Sequence, residues 1–373
     1  MNSFFVKPKM LFDVKTQDFL RTCQGNRYFI ISDPMMKELG FIEIIKNEIL
    51  QQNNSCKVFD KITPDPQLST VAEGLHEMMT FKPDVLIAIG GGSAIDAAKG
   101  MILSFSKIDR DAKRPLFIAI PSTSGTGSEV TSFAVITNGL EKKPIINEVM
   151  IPDIALLDVD LVKTVPPKVT ADTGMDVLTH AIEAYVSTKA TEFTDALAEK
   201  AIKLVFESLI EVFRDGSKIE HRNKMHKASS LAGIAFTNAS LGISHSIAHA
   251  IGGIFHISHG RINALILPHV IAYNAGCDGK LTPTANKYQE ISQFLNLPAA
   301  TPEEGTKSLI SAINFLNEAL TIEKGFSELA IEKDNYYEYK HLIADFALQD
   351  DCTTTNPRVP TREELAGLYL SLY

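Results

Sequence analysis

The stretch that most limits how this chain can fold is DVLIAIGGGSAIDAAKG (84–100). A short, uninterrupted apolar run leads into consecutive glycines and then into a helical pattern. A strand apolar at every position is buried on both faces, as in a parallel sheet covered by helices. Further short β-rich runs occur at RYFIIS (27–32), KVFDKI (57–62), PLFIAI (115–120), FAVIT (133–137) and IALLD (154–158). Helical patterns such as LSTVAEGLHEMMTF lie between some of them. Strand–helix–strand order predicts an α/β fold with a parallel, doubly wound sheet.

The pattern changes near Pro166-Pro167, beyond which strand signal almost vanishes. TDALAEKAIKLVFESLIEVFRD (194–215) carries Leu197, Ala201, Leu204, Val205 and Leu209 on one helical stripe. Thr194 is the expected N-cap, with Asp195 in the first turn. KASSLAGIAFTNASLG (227–242) is rich in small residues, as closely packed helices often are. The length of 373 residues suits about two domains. These are expected at 1–167, a nucleotide-binding α/β domain, and 168–373, an all-helical domain.

Composition removes several function classes. The net charge is −9 and no block of Lys or Arg occurs, so nucleic acid and anionic membranes are poor partners. No window is long and apolar enough to span a membrane. MNSFFVKPKMLFDVK lacks a signal-peptide core, which predicts a cytoplasmic protein. The cysteines Cys23, Cys56, Cys277 and Cys352 are scattered, arguing against disulfides and thiolate zinc sites.

Two loops have the chemistry of a phosphate cradle. Gly90, Gly91, Gly92 and Ser93 sit between a strand and a helix N-terminus, where backbone N–H groups can meet a pyrophosphate. A bare strand-to-helix turn would look the same. PSTSGTGSEVT (121–131) follows the next strand and supplies small hydroxyl residues at a second strand end. One shared nucleotide site explains both loops better than two unrelated turns. Asp33 ends the first β-rich run. It suits a ribose hydroxyl and would repel a 2′-phosphate, favouring NAD over NADP; it also suits a turn before Pro34.

LGISHSIAHAIGGIFHISHG (241–260) concentrates four of the ten histidines: His245, His249, His256 and His259. His245 and His249 share a face if the segment is helical. Gly252-Gly253 is expected to break that helix and let the chain bring His259 back toward the pair. Asp176 and His180 form a second i, i+4 pair on an apolar helix face. A carboxylate there is costly unless it is paired or bound to metal. One carboxylate with imidazoles suits Fe(II) or Zn(II), though spacing does not choose among the four histidines.

GGGSAIDAAK, PSTSGTGSEVT, GMDVLTHAIEAYVS, HSIAHAIGG, SHGRINALILPHV and DCTTTNPRVPTREE together resemble the iron-type (group III) metal-containing alcohol dehydrogenases over nearly the full chain. The resemblance implies a Rossmann-like domain, a helical domain and a metal between them. It places metal ligands at Asp176, His180, His245 and His259, and a proton relay at His249. His256 matches no ligand and is expected at a wall or surface. Gly91, Gly92 and Ser93 match the pyrophosphate loop, and Thr123, Thr126 and Thr131 match cofactor contacts. Lys142 or Lys143 fills the ribose lysine, with Lys142 favoured, and Cys352 matches a cysteine near the active site. Where the family usually has Pro-His-Gly, this chain has Ser258-His259-Gly260.

The implied activity is interconversion of a short aldehyde and its alcohol with Fe(II), or Zn(II), and NAD(H). FTDALAEKAIKLVFESL and TGMDVLTHAIEAYVS look most like the propanol dehydrogenases of propanediol-utilising bacterial microcompartments. A homodimer or larger homo-oligomer, and a microcompartment partner enzyme, are implied with it. Ethanol, butanol and propane-1,3-diol enzymes share most of these motifs. A non-redox dehydroquinate synthase-like enzyme is a competing reading, but it needs basic residues for anionic substrates and few lie near the histidines beyond Arg261. A non-catalytic NAD or metal sensor is a further alternative.

Overall fold

The computed structural model describes residues 4–23, 25–109, 113–139 and 141–373, the side chains of 141 and 142 excepted. The chain forms two compact units, one running to Val165 and the other from Pro166 to Tyr373.

The first unit holds strands β1 (Lys9–Phe12), β2 (Arg27–Ser32), β3 (Ser55–Phe59), β4 (Val85–Gly90), β5 (Leu116–Pro121), β6 (Phe133–Asn138), β7 (Glu141–Ile146) and β8 (Ile154–Leu157). Its helices are α1 (Thr16–Leu20), α2 (Pro34–Glu38), α3 (Phe41–Leu50), α4 (Leu68–Phe81) and α5 (Gly92–Ile108). Six strands form one sheet in the order β1-β8-β5-β4-β2-β3, and every pairing in it is parallel. The continuous apolar runs follow from burial on two faces. Phe29, Ile31, Leu86, Ala88, Phe117 and Ala119 pack on one side with residues of α4 and α5. Tyr28, Ile30, Val85, Ile87, Ile89, Ile118 and Ile120 pack on the other with residues of α1 to α3.

The run 133–137 is not part of that sheet. It becomes β6, which pairs antiparallel with β7, Phe133 opposite Ile146 and Asn138 opposite Glu141. β3 starts at Ser55 and stops at Phe59; Asp60 and Lys61 of KVFDKI lie beyond it, while Ile62 returns to the core and its N–H donates to the Ser32 carbonyl at 3.2 Å.

The second unit contains α6 (Pro167–Val186), α7 (Glu192–Arg214), α8 (Ile219–Ala239), α9 (Ile243–Phe255), α10 (His259–Ala275), α11 (Thr284–Phe294), α12 (Pro302–Ala319), α13 (Lys333–Glu338), α14 (Lys340–Gln349) and α15 (Arg362–Leu370), with no strand among its described residues. Two local expectations are corrected. The N-cap of α7 is Thr191, one turn before Thr194. Thr191 and Thr194 exchange side-chain and backbone bonds as a capping box, so Thr194 is the third helical residue. Gly252 and Gly253 do not break α9, because the helix runs on to Phe255 and ends at His256 in the left-handed region (φ 54°). Glycine inside a helix costs only about 1 kcal/mol, which packing can offset. Among the described residues, no helix is long and apolar enough to cross a membrane.

Candidate metal centre and nucleotide loop

In the first unit the chain reverses its direction of travel across the sheet between β2 and β4, since β3 lies outside β2 and β5 lies outside β4. Open α/β sheets bind ligands at the carboxyl ends of strands at such a point. Asp33 follows β2 and Gly90 ends β4, so both expected elements stand there. Gly90 adopts φ +149°, and a Cβ on it would lie 2.6 Å from Asp33 Oδ2. Only glycine suits both the conformation and the approach. Asp33 Oδ1 accepts from Met36 N at 3.0 Å and caps α2, so the turn role is filled. Burial raises its pKa, against the pull of backbone N–H groups.

Gly91 is the N-cap of α5 and has no side chain to fill the space before the helix. Thr123 lies 3.6 Å from the Cβ position of Gly91, and Thr126 lies 2.8 Å from that of Gly92. The two loops therefore touch, with Ser93 half-buried in the first turn. Thr131 stands apart from this group. It is buried, and its Oγ1 accepts from Lys99 Nζ at 2.9 Å. The side chain of Lys142 lies outside the described residues; its backbone is in β7 opposite Thr137.

Sequence reasoning passed over Lys99 and Asp96. Lys99 is fully buried on α5 and donates to Ser128 Oγ (2.9 Å), Thr131 Oγ1 (2.9 Å) and the Phe133 carbonyl (2.6 Å). Asp96 accepts from Ser128 Oγ at 2.5 Å and Val135 N at 2.9 Å. Together they fasten the hydroxyl-rich segment to the helix that starts at Gly92. Burial lowers the pKa of Lys99 to about 8, against the pull of Asp96 and Glu129. The signal was available: two charges one turn apart amid the alanines and Ile95 of the first half of α5.

In the second unit α6 carries Asp176 and His180, α9 carries His245 and His249, and α10 begins with His259. The reversal after His256 brings α10 back onto α9. The rings of His245 and His259 lie 5.3 Å apart, and those of His249 and His259 stack at 5.0 Å. Asp176 is the hub. Its Oδ1 is 3.8 Å from His245 Nε2 and 3.7 Å from His259 Nε2, and its Oδ2 is 4.0 Å from His180 Nδ1. Those separations are too long for hydrogen bonds but suit donors facing one centre. His180 is sandwiched between Phe236 (4.6 Å) and His245 (4.5 Å). Asp176, His180 and His245 are buried, while the His259 side chain is 36% exposed.

The donor set fits a transition ion. His245 Nε2 is buried with no hydrogen-bond partner among the described residues, an expensive state unless a cation takes its lone pair. Burial drives His245 well below its ordinary pKa, and His259 to about 3, so both imidazoles are neutral. Burial acts to raise the pKa of Asp176, but His180, His259 and His245 together hold it below the usual carboxylate range. Asn263 steadies the hub, its Nδ2 donating to Asp176 Oδ1 at 2.8 Å.

His249 is half-buried beside this group, its Nδ1 2.8 Å from Asp350 Oδ2. Asp350 Oδ1 accepts from Cys352 N at 2.8 Å, so His249, Asp350 and Cys352 cluster together. His256 is exposed and outside the group. Asp350 was missed because no local spacing links it to His249. Glu183 was missed although it continues the Asp176–His180 stripe of α6. Arg261, next to His259, is buried and pairs with Asp172 (2.6 Å) and Glu323 (2.8 Å).

A switch-point parallel sheet followed by a helical unit with a buried carboxylate–imidazole cluster defines the architecture of the metal-containing dehydrogenases. The chain belongs to the iron-containing alcohol dehydrogenase family, whose pattern residues 13–159 match, residues 170–373 matching that of the Fe-containing alcohol dehydrogenase family, C-terminal. It is 42% identical to the aldehyde-alcohol dehydrogenase of Streptococcus pneumoniae over 98% of this chain, yet spans only 45% of that relative's length. With the 1-propanol dehydrogenase of Citrobacter freundii it shares 41% identity over 96% of each chain. The solved iron-containing alcohol dehydrogenase of Thermococcus thioreducens superposes with TM-score 0.91 at 32% identity, over 100% of this chain and 99% of that one. A sulfoacetaldehyde reductase from Bifidobacterium kashiwanohense, solved with NAD+, superposes with TM-score 0.86 at 25% identity over 100% and 98%.

Proposed function

We propose that this chain is an NAD(H)- and Fe(II)-dependent alcohol dehydrogenase that interconverts a short aldehyde and its primary alcohol, best propanal and 1-propanol. The observation that carries the reading is the convergence of Asp176, His180, His245 and His259, with the His245 Nε2 lone pair otherwise unanswered. These four side chains hold the metal; Zn(II) is the second choice for the same donors. A bound divalent ion supplies Lewis acidity, lowering the pKa of an alcohol oxygen or polarising a carbonyl.

The remaining roles belong to the protein. Gly91, Gly92 and Ser93 bind the pyrophosphate at the N-terminus of α5, with Thr123 and Thr126 beside it. Asp33 takes the ribose hydroxyls and disfavours a 2′-phosphate. Thr131 acts through Lys99 rather than by touching the cofactor. Lys142 is the ribose lysine by resemblance. His249, its Nδ1 held by Asp350, exchanges the alcohol proton with solvent at Nε2. The substrate choice rests on the likeness to a 1-propanol dehydrogenase of nearly equal length. A cytoplasmic site inside a propanediol-utilising microcompartment, and assembly as a homodimer or larger, belong to the same reading. Failure to co-sediment with purified compartments would remove the compartment.

The test is anaerobic purification, removal of metal, and NADH oxidation with propanal during add-back of Fe(II) or Zn(II). Recovery with Fe(II), lost in air, supports the reading; recovery with Zn(II) alone changes the ion; no turnover with either refutes the activity. In His245→Ala, retention of both metal and turnover would show the ligand set to be wrong.

A further inference from the structure

Glu183 lies seven residues beyond Asp176 on α6, on the same buried stripe, and is 3% exposed. Its two oxygens meet the start of α9. Oε1 accepts from Ser244 N at 2.7 Å, and Oε2 accepts from Gly242 N at 2.9 Å. Gly242, the N-cap of α9, has no side chain to cap that helix, so the carboxylate of α6 caps it instead. A Cβ at Gly242 would lie 2.9 Å from Glu183 Oε1, so glycine admits the carboxylate. The same Oε2 lies 2.6 Å from His245 Nδ1.

We infer that Glu183 is the positioning residue of the metal centre: by capping α9 and accepting from His245 Nδ1–H, it fixes the tautomer that leaves Nε2 free for the ion. This rests on the metal reading proposed above. Both oxygens of Glu183 are committed as acceptors from backbone N–H groups, and a carboxyl oxygen so held accepts from the imidazole as well. The imidazole therefore donates from Nδ1, and its lone pair is at Nε2. That nitrogen is the one with no hydrogen-bond partner, and it lies 3.8 Å from Asp176 Oδ1. Carboxylates that orient metal-bound histidines typically matter ten- to a hundredfold in metal affinity.

The experiment titrates the metal-free full chain with Zn(II) against a chromophoric chelator, and with Fe(II) anaerobically. Wild type, Glu183→Gln, Glu183→Met and Asn356→Ala are compared. Asn356 Oδ1 accepts from Ile243 N at 3.3 Å, so its loss perturbs the same helix end without touching His245. Glu183→Gln, which keeps one acceptor, is expected to weaken Zn(II) about tenfold, and Glu183→Met about a hundredfold. Asn356→Ala should change affinity less than threefold. In 15N-histidine spectra of the metal-free wild type, His245 should carry its proton on Nδ1, and Glu183→Met should lose that preference. Zn(II) affinity in Glu183→Gln within twofold of wild type, or an equal loss in Asn356→Ala, or a wild-type proton on Nε2, overturns the inference. If Glu183→Met does not fold, the near-isosteric Gln variant decides. A wild type that binds neither ion refutes the metal reading itself, a result distinct from equal binding by wild type and variant.

Discussion

Gly260→Ala tests whether the metal centre depends on backbone approach rather than on ligand identity alone. Gly260 follows His259 in the first turn of α10. A Cβ there would stand 2.0 Å from the Asp172 carbonyl oxygen and 3.2 Å from Asp176 Cβ. Real Cβ atoms almost never come within 3.0 Å of a neighbour, so α10 and α6 must separate by about 1 Å. The obstacle is helix backbone, and no rotamer change relieves it. The partner side of α10 is clamped too, because Arg261 is held by Asp172 and Glu323. Overpacking of this kind costs about 1–3 kcal/mol, or roughly 2–12 °C in Tm for a unit of this size. Function should suffer more than stability. Metal–ligand distances tolerate about 0.2 Å, so a shift of about 1 Å at His259 would remove it from the proposed shell. The variant should stay folded by circular dichroism, lose several degrees in Tm, and bind Zn(II) at least tenfold more weakly. A Gly260→Ala protein with wild-type Tm and wild-type Zn(II) affinity would refute the close-approach argument.

Asp350→Asn should lower kcat about tenfold with KM and metal content nearly unchanged, since it disturbs only how His249 is held; steady-state kinetics alongside metal analysis checks this. Lys99→Met removes the ammonium donor to the buried hydroxyls of Ser128 and Thr131 and to the Phe133 carbonyl. It should cost about 2–5 kcal/mol and weaken NADH binding measured by fluorescence, whereas unchanged affinity would separate this network from the cofactor loop. His226 is buried on α8, and burial lowers its pKa to about 3. The unfolded chain therefore binds the extra proton between pH 6.5 and 3; the stability from keeping His226 neutral is full above pH 6.5 and lost as pH falls toward 3. The slope is at most about 1.4 kcal/mol per pH unit. Chemical denaturation of the metal-free protein at stepped pH should show it, and His226→Asn should flatten it by about one proton.

The parts legible in the sequence were those in which burial leaves a one-dimensional mark. β2, β4 and β5 are apolar at successive positions because helices cover both faces. Asp176 and His180 stood out because charge on an apolar helix face demands a partner. The failures have equally local causes. FAVIT looked like another sheet strand because its partner EKKPII, polar at three of its six positions, carries almost no strand signal. Thr191 and Thr194 both fit a cap, and the choice depends on which one's backbone leaves the helix, a fact of dihedral angle rather than composition. The glycines of α9 were mistaken for a stop because their cost is visible and the packing that offsets it is not. Asp350 lies 101 residues from His249, a pairing only the fold creates.

The placement of Asp172, Asp176, His180 and Glu183 explains why so costly a helix is tolerated. They follow one another at intervals of four, four and three along α6, the spacing of a stripe that normally buries leucine and isoleucine. Each carboxylate is answered by the start of a neighbouring helix: Asp172 by Arg261 of α10, Asp176 by Asn263 of α10, Glu183 by the first N–H groups of α9. The same contacts that satisfy the buried charges bring the first turns of α9 and α10, and so His245 and His259, onto the Asp176–His180 pair. Removing any one of these carboxylates would leave its partners unsatisfied and one helix start unanchored. Conservative changes along this stripe should therefore lower metal affinity before they unfold the protein. Apolar replacements of matching volume should preserve stability while abolishing metal binding, if the stripe is polar to hold the proposed ligands in place, because an apolar α6 would pack without it.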